Sequence, residues 1–203
     1  MPQIYNQKMN NPRKKLKIKL CETILKELST RKNDAAYNGG SATVYLGDKW
    51  VKKIATLGEF SEANIFQYEL MSKNPEIFPT TKIKKFEKGV VILQKLVDTN
   101  SAEKIYYEIQ KHLDLFEYYS FREFLEGIVK EGFIEEYKYI YTQNWKHFRR
   151  IEIGSRFKEI VTLCVKLHDL LKKNPFTGFH RIDLHYENFG VEDGKLKIID
   201  FMV

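Results

Sequence analysis

An aspartate, Asp183, is followed five positions on by an asparagine, Asn188, within Phe-His-Arg-Ile-Asp-Leu-His-Tyr-Glu-Asn-Phe-Gly at 179–190. A second aspartate, Asp200, stands in the run Lys-Ile-Ile-Asp-Phe at 197–201. All three side chains carry oxygen. A carboxylate accepts a hydrogen bond from a hydroxyl, and carboxylate and amide oxygens suit hard divalent cations.

Groups that act together from such distant positions need a scaffold. Residues 42–47 and 49–54 read as strands joined by a Gly47-Asp48 turn. Phe60, Ala63, Ile65, Phe66, Leu70 and Met71 recur at near-helical intervals, which predicts a helix over 59–73. Strands follow at 82–86 and 90–96. Helices are expected over 102–117, 118–131, 133–148 and 155–173. The last has the broadest apolar stripe and stops at Asn174-Pro175. A hairpin turned at Asp193-Gly194 pairs 189–192 with 195–200, so Asp200 ends a strand. Before all of these, residues 18–30 have helical spacing, preceded by a basic run at 13–19.

The chain has 203 residues, suiting one domain or two small lobes, and 43% hydrophobic residues, enough for a core. No apolar run reaches the length of a membrane span, and the N-terminus lacks the order of a signal peptide. A soluble cytoplasmic protein without a membrane partner is expected. Cys21 and Cys164 lie in apolar helical segments and read as buried free thiols. The net charge of +7 favours anionic partners. Tyr137, Tyr139, Tyr141 and Trp145, with Lys146, Arg149 and Arg150, are a candidate nucleic-acid surface, but aromatics at helical spacing are more often core.

The Asp-Leu-His-x-x-Asn wording at 183–188, followed by Asp200-Phe201, resembles the catalytic loop and metal-binding strand of the protein-kinase-like superfamily, in the manner of its aminoglycoside and choline kinase branch. The order strand, strand, helix, strand, strand resembles its N-terminal lobe. The resemblance covers roughly 36–100 and 155–203. It implies an α+β, two-lobed kinase-like fold: a basic helical extension at 1–35, a small antiparallel-sheet N-lobe at 36–97, and a reduced helical C-lobe at 98–203. It implies ATP and Mg2+ as cofactors, and transfer of the γ-phosphate to a hydroxyl of a protein Ser or Thr or of a small molecule.

Roles carry over residue by residue. Asp183 positions the acceptor hydroxyl, and Asn188 and Asp200 bind magnesium. Gly39, Gly40 and Ser41 cover the phosphates. Val44, Val51, Leu93 and Leu96 line the nucleotide site, with Gln94-Lys95-Leu96 as the hinge between lobes. Lys53, on the face of Val51, meets the α and β phosphates, whereas Lys52 points away to solvent. Glu62, from the helix, holds Lys53. His185 contacts the transferred phosphate, fixes the loop, or is a structural histidine.

The sequence also departs from the pattern. Tyr37 and Ala42 replace two glycines of the phosphate-covering loop, Ile182 stands where many protein kinases carry Arg, and Met202 replaces the usual Gly after Asp-Phe. With Val203 as the last residue, no activation loop or substrate-binding helices follow, which suggests a protein partner that completes the C-lobe. The competing reading is a pseudokinase-like module that acts by engaging such a partner. Heavy use of Lys, Ile and Asn fits an AT-rich genome or a virus, and a virus places the protein in the host cytoplasm.

Overall fold

The computed structural model describes residues 36–38, 43–56, 62–86, 89–113, 120–149, 152–175 and 181–201. The expected extension at 1–35 lies outside them, and Tyr37–Val203 forms one unit. The architecture is α+β, with five α-helices among the described residues.

Strands β1 (Ala36–Asn38), β2 (Thr43–Leu46), β3 (Trp50–Thr56), β4 (Thr81–Phe86) and β5 (Gly89–Lys95) form a sheet in the order β1-β2-β3-β5-β4. The β2–β3, β3–β5 and β4–β5 pairs are antiparallel. The Gly47 amide closes the β2–β3 turn on the Trp50 carbonyl at 2.9 Å. Val44 pairs with Lys53, Lys53 with Ile92, Val51 with Gln94 and Gln94 with Thr81. Cross-strand partners share a face, so one face carries Val44, Val51, Lys53, Val90, Ile92 and Gln94. Val90, Ile92 and Gln94 are buried, which makes this the covered side. Helix α1 (Glu62–Lys73) buries Gln67, Tyr68, Leu70 and Met71, and the Gln94 amide approaches Met71 Sδ at 3.9 Å.

The helical part holds α2 (Thr99–His112), α3 (Phe121–Glu131), α4 (Glu135–Phe148) and α5 (Gly154–Lys173). Helix α2 starts three residues earlier than its apolar pattern predicts because Asp98 caps it, accepting from the Ser101 amide at 2.9 Å. Ser120 and Glu123 form a capping box on α3. Helices α3 and α4 pack on α5, whose buried stripe is Phe157, Ile160, Val161, Cys164 and Leu167. The Phe157 ring stacks on Phe148 at 4.4 Å and on Tyr141 at 5.4 Å. Tyr137 is also buried and only Tyr139 is largely exposed, so the aromatic middle of the chain is mostly core. Cys164 is a buried free thiol whose pKa burial pushes up. No described helix is long and apolar enough to cross a membrane.

Strands β6 (Phe189–Glu192) and β7 (Lys195–Ile198) form a hairpin. Its turn residues have φ of 49° at Asp193 and 77° at Gly194, the twist that a two-residue hairpin favours. The hairpin is docked on the sheet segment from both ends. Ile198 donates to the Ile77 carbonyl at 3.0 Å, and the Lys197 ammonium reaches the Pro75 carbonyl. Glu192 accepts from Thr80 and pairs with Lys95 at 3.1 Å. Asp98 and Val191 exchange two backbone bonds of 3.0 Å. At Gly190 an added Cβ would fall 2.2 Å from Val97 Cγ2, so only glycine lets the 95–98 connection lie this close.

Candidate active site

Asp183 lies in an irregular loop between Ile182 and a 3-10 turn at Tyr186–Asn188. Buried Ile182 and Leu184 anchor the loop on either side of it. The Asp183 amide donates to the Phe201 carbonyl at 3.1 Å, and the Ile199 amide donates to the Asn188 carbonyl at 2.8 Å. These two backbone bonds bring Asp183, Asn188 and Asp200 together across the loop and the end of β7. The buried Phe201 ring stacks on Phe78 at 5.4 Å and holds that end in the core.

Asp183 Oδ1 accepts from Arg122 Nη2 at 2.9 Å and from His185 Nδ1 at 2.8 Å. Among the described residues nothing bonds Oδ2. His185 Nε2 lies 3.1 Å from Glu187 Oε2, so both ring nitrogens meet carboxylates. Burial opposes the imidazolium, but the bonds to Asp183 and Glu187 outweigh it and raise the pKa above its ordinary 6.5. Asn188 Nδ2 also stands 3.1 Å from Nδ1. Once Nδ1 is protonated, its proton goes to Asp183 and the amide donates to the Asp183 carbonyl at 3.1 Å. A raised folded pKa stabilises fully below 6.5 and is lost as pH rises through the raised value. Relative to His185→Gln, the wild-type Tm should therefore fall by about 2–4 °C over that window, an ion pair of about 1 kcal/mol. Parallel Tm–pH curves for the two proteins count against the bridge.

Arg122 was not visible as a site residue in the sequence. On α3 it also donates from Nε to Glu126 Oε1 at 2.6 Å. Glu126 is buried and takes the Leu184 amide at 3.3 Å. A charged pair four apart, with Glu126 among apolar neighbours Leu125, Gly127, Ile128 and Val129, was the available signal.

At the sheet, Lys53 donates to the Tyr68 hydroxyl, with its ammonium 4.9 Å from the centre of that ring. Burial opposes its charge, but Tyr68 and Asp200 prevail and hold its pKa up. Burial likewise raises the Tyr68 phenol, so near neutral pH the pair is ammonium and neutral phenol. The structure does not bring Glu62 to Lys53. Glu62 is the exposed first residue of α1, and Tyr68, nearly two turns on, occupies the buried side. Lys52 is buried, 8% exposed, and not solvated as expected. Strand alternation does place it opposite Lys53, between half-buried Leu93 and the neighbouring strand β2.

Gln67, next to Tyr68, donates from Nε2 to Asp200 Oδ1 at 2.6 Å. The Phe201 amide donates to the same oxygen at 2.9 Å. Gln67 Oε1 is buried with no partner among the described residues, a cost of about 1–3 kcal/mol if nothing else meets it. Turning the amide over would set Oε1 against Asp200 Oδ1, so the assignment is fixed by charge.

Val44 and Val51 share the Lys53 face, half-buried. Leu93 does not: it pairs with Lys52 and Lys82 on the opposite face, and Gln94 takes the covered position. Leu96 is 43% exposed and its amide is engaged by the Lys49 carbonyl at 2.9 Å. Lys95 donates to the Thr80 carbonyl and Asp98 to Val191. Among the described residues the Val97 amide has no acceptor. Gly39, Gly40 and Ser41 lie outside the described residues.

The metal expectation can be tested on the donor atoms. Asp200 Oδ2 and Asn188 Oδ1 have no partner among the described residues, whereas their geminal atoms are fully used. Two hard oxygens fit Mg2+, which keeps several waters and fills its octahedron from phosphate. They do not form an all-protein cage, and among the described residues no three His, Cys, Asp or Glu cluster for a metal. No family model, curated protein or solved structure matches the chain.

Proposed function

We propose that the chain is a magnesium-dependent ATP phosphotransferase of kinase-like fold that moves the γ-phosphate to a hydroxyl. One observation carries this reading. Lys53 and Asp200 meet through adjacent residues of α1, Tyr68 and Gln67, while the Asp183 amide is bonded to the residue after Asp200. Residues 53, 183, 188 and 200 thereby share one neighbourhood. Chance placement of the four types that phosphoryl transfer uses is a poor account of that convergence.

In the proposed complex, adenine lies against Val44 and Val51 and accepts from the Val97 amide. The Lys53 ammonium meets the α and β phosphates. Magnesium, when bound, neutralises charge on the phosphates. Asp183 uses its open Oδ2 to accept the hydrogen bond of the acceptor hydroxyl, with Oδ1 held by Arg122 and His185. The new O–P bond forms as the bond between γ-phosphorus and the bridging oxygen breaks. The hydroxyl proton leaves by way of Asp183, and ADP departs with the bridging oxygen. The acceptor belongs to a protein or a small molecule.

The pseudokinase-like alternative draws on one feature, the anchoring of Lys53 by a phenol where a carboxylate was expected. The test is turnover of γ-labelled ATP with Mg2+, alongside binding of a non-hydrolysable analogue. Analogue binding without phosphate transfer to any added protein or metabolite fraction favours the partner-binding module. Tyr68→Phe removes only the hydroxyl and should weaken analogue binding by about tenfold, one hydrogen bond to a charge. An unchanged Kd by calorimetry removes Tyr68 from the site.

A further inference from the structure

We infer that Gln67 is a metal-positioning residue: it fixes Asp200 through Nε2, and its Oε1 accepts from a water of the cation that Asp200 holds. This deepens the proposed function and rests on it.

Gln67 is 1% exposed, yet its carbonyl oxygen has no partner among the described residues. Such an orphan acceptor marks either a strain point or the place of an absent donor. Its position decides between them. Oε1 shares a carbon with Nε2, which is 2.6 Å from Asp200 Oδ1. The orphan therefore stands beside the Asp200 carboxylate. The Lys53 ammonium donates to the Tyr68 hydroxyl and makes no bond to Oε1. What remains is a donor brought by the ligand. A water bound to Mg2+ has its lone pair on the metal and both protons to give, and Mg2+ retains several such waters. Outer partners of this kind orient a ligating carboxylate and typically change metal affinity by about 10–100-fold when removed.

The same bond explains which Asp200 oxygen is left for the cation. Oδ1 is saturated by Gln67 and the Phe201 amide, so the rotamer is locked with Oδ2 open. A carboxylate at position 67 would instead face Asp200 at hydrogen-bond distance. Two like charges there need a shared proton or a cation between them.

The experiment is Mn2+ binding to the full chain with a non-hydrolysable ATP analogue, followed by electron paramagnetic resonance, for wild type, Gln67→Leu, Gln67→Glu and Asp200→Asn. The Mn2+ Kd should rise about tenfold or more in Gln67→Leu. In Gln67→Glu it should become tighter from pH 6 to pH 8 by a larger factor than in wild type. The metal should also raise the Tm of that variant more than that of wild type. A wild-type Kd in Gln67→Leu overturns the inference. Should Gln67→Leu not fold, a Gln67→Glu protein with the wild-type pH dependence and metal-induced Tm shift overturns it equally. Asp200→Asn separates this outcome from failure of the parent reading. Unchanged Mn2+ binding in Asp200→Asn removes the phosphotransferase metal site itself. Lost binding there, with retained binding in Gln67→Leu, removes the role of Gln67 alone.

Discussion

Replacing Asp183 with Asn should lower the proposed phosphate transfer by about a thousandfold while leaving binding of the ATP analogue within about twofold. The amide keeps the size of the side chain and can still accept from Arg122 on its oxygen. It cannot also offer a second anionic oxygen to the acceptor hydroxyl. Because Asp183 Oδ1 is saturated by Arg122 and His185, the open Oδ2 is the atom on which the proposed reaction relies. In the proposed complex the nucleotide contacts come from Lys53, the sheet and the metal ligands, so binding should survive. Equal turnover by wild type and Asp183→Asn, measured as γ-phosphate release or transfer, ends the enzymatic reading of this loop.

The second large effect concerns Arg122. Arg122→Leu leaves the buried Glu126 carboxylate with the Leu184 amide and with Lys130 at 3.5 Å as its remaining partners. Stranding the buried Glu126 carboxylate costs about 3 kcal/mol, the low end because Arg122 is itself 36% exposed and Lys130 remains. That corresponds to a fall in Tm of about 6–12 °C. The same change frees Asp183 Oδ1 from one of its two holders, and a shifted carboxylate loses about a hundredfold in turnover. The double change Arg122→Leu with Glu126→Leu separates these effects. It removes the stranded charge and restores part of the stability, the Leu184 amide having lost its acceptor. Turnover should stay low. Recovery of turnover along with stability shows that Arg122 acts on the helix alone.

Element types were legible because their periodicity is strong. The strands at β2 to β5, helices α1, α3, α4 and α5 and the β6–β7 hairpin fall within a few residues of their expected bounds. Alternation also separated Lys52 from Lys53 correctly. It could not tell that Lys52 is itself buried, since a strand pattern reports which residues share a face and not what lies on it. Leu93 was expected beside Val44 and Val51, and the register sets it on the opposite face. Pairing with Val51 puts Gln94 on the Val51–Lys53 face, and a shift of one residue reverses every side chain.

The sequence by itself supplied the candidates: Asp183, Asn188, Asp200 and Lys53, in an order that matches strand, helix and hairpin contexts. Local rules suffice for that, because turns, caps and apolar periods act over a few residues. Who holds each of these groups was decided only by tertiary contacts. Helix α1 turned Gln67 and Tyr68, not Glu62, toward Asp200 and Lys53, and α3 delivered Arg122 to a loop about sixty residues away. Hydrogen bonds between elements depend on how the helices are rotated and docked. That geometry is set by the summed packing of the core and not by the spacing of any one segment.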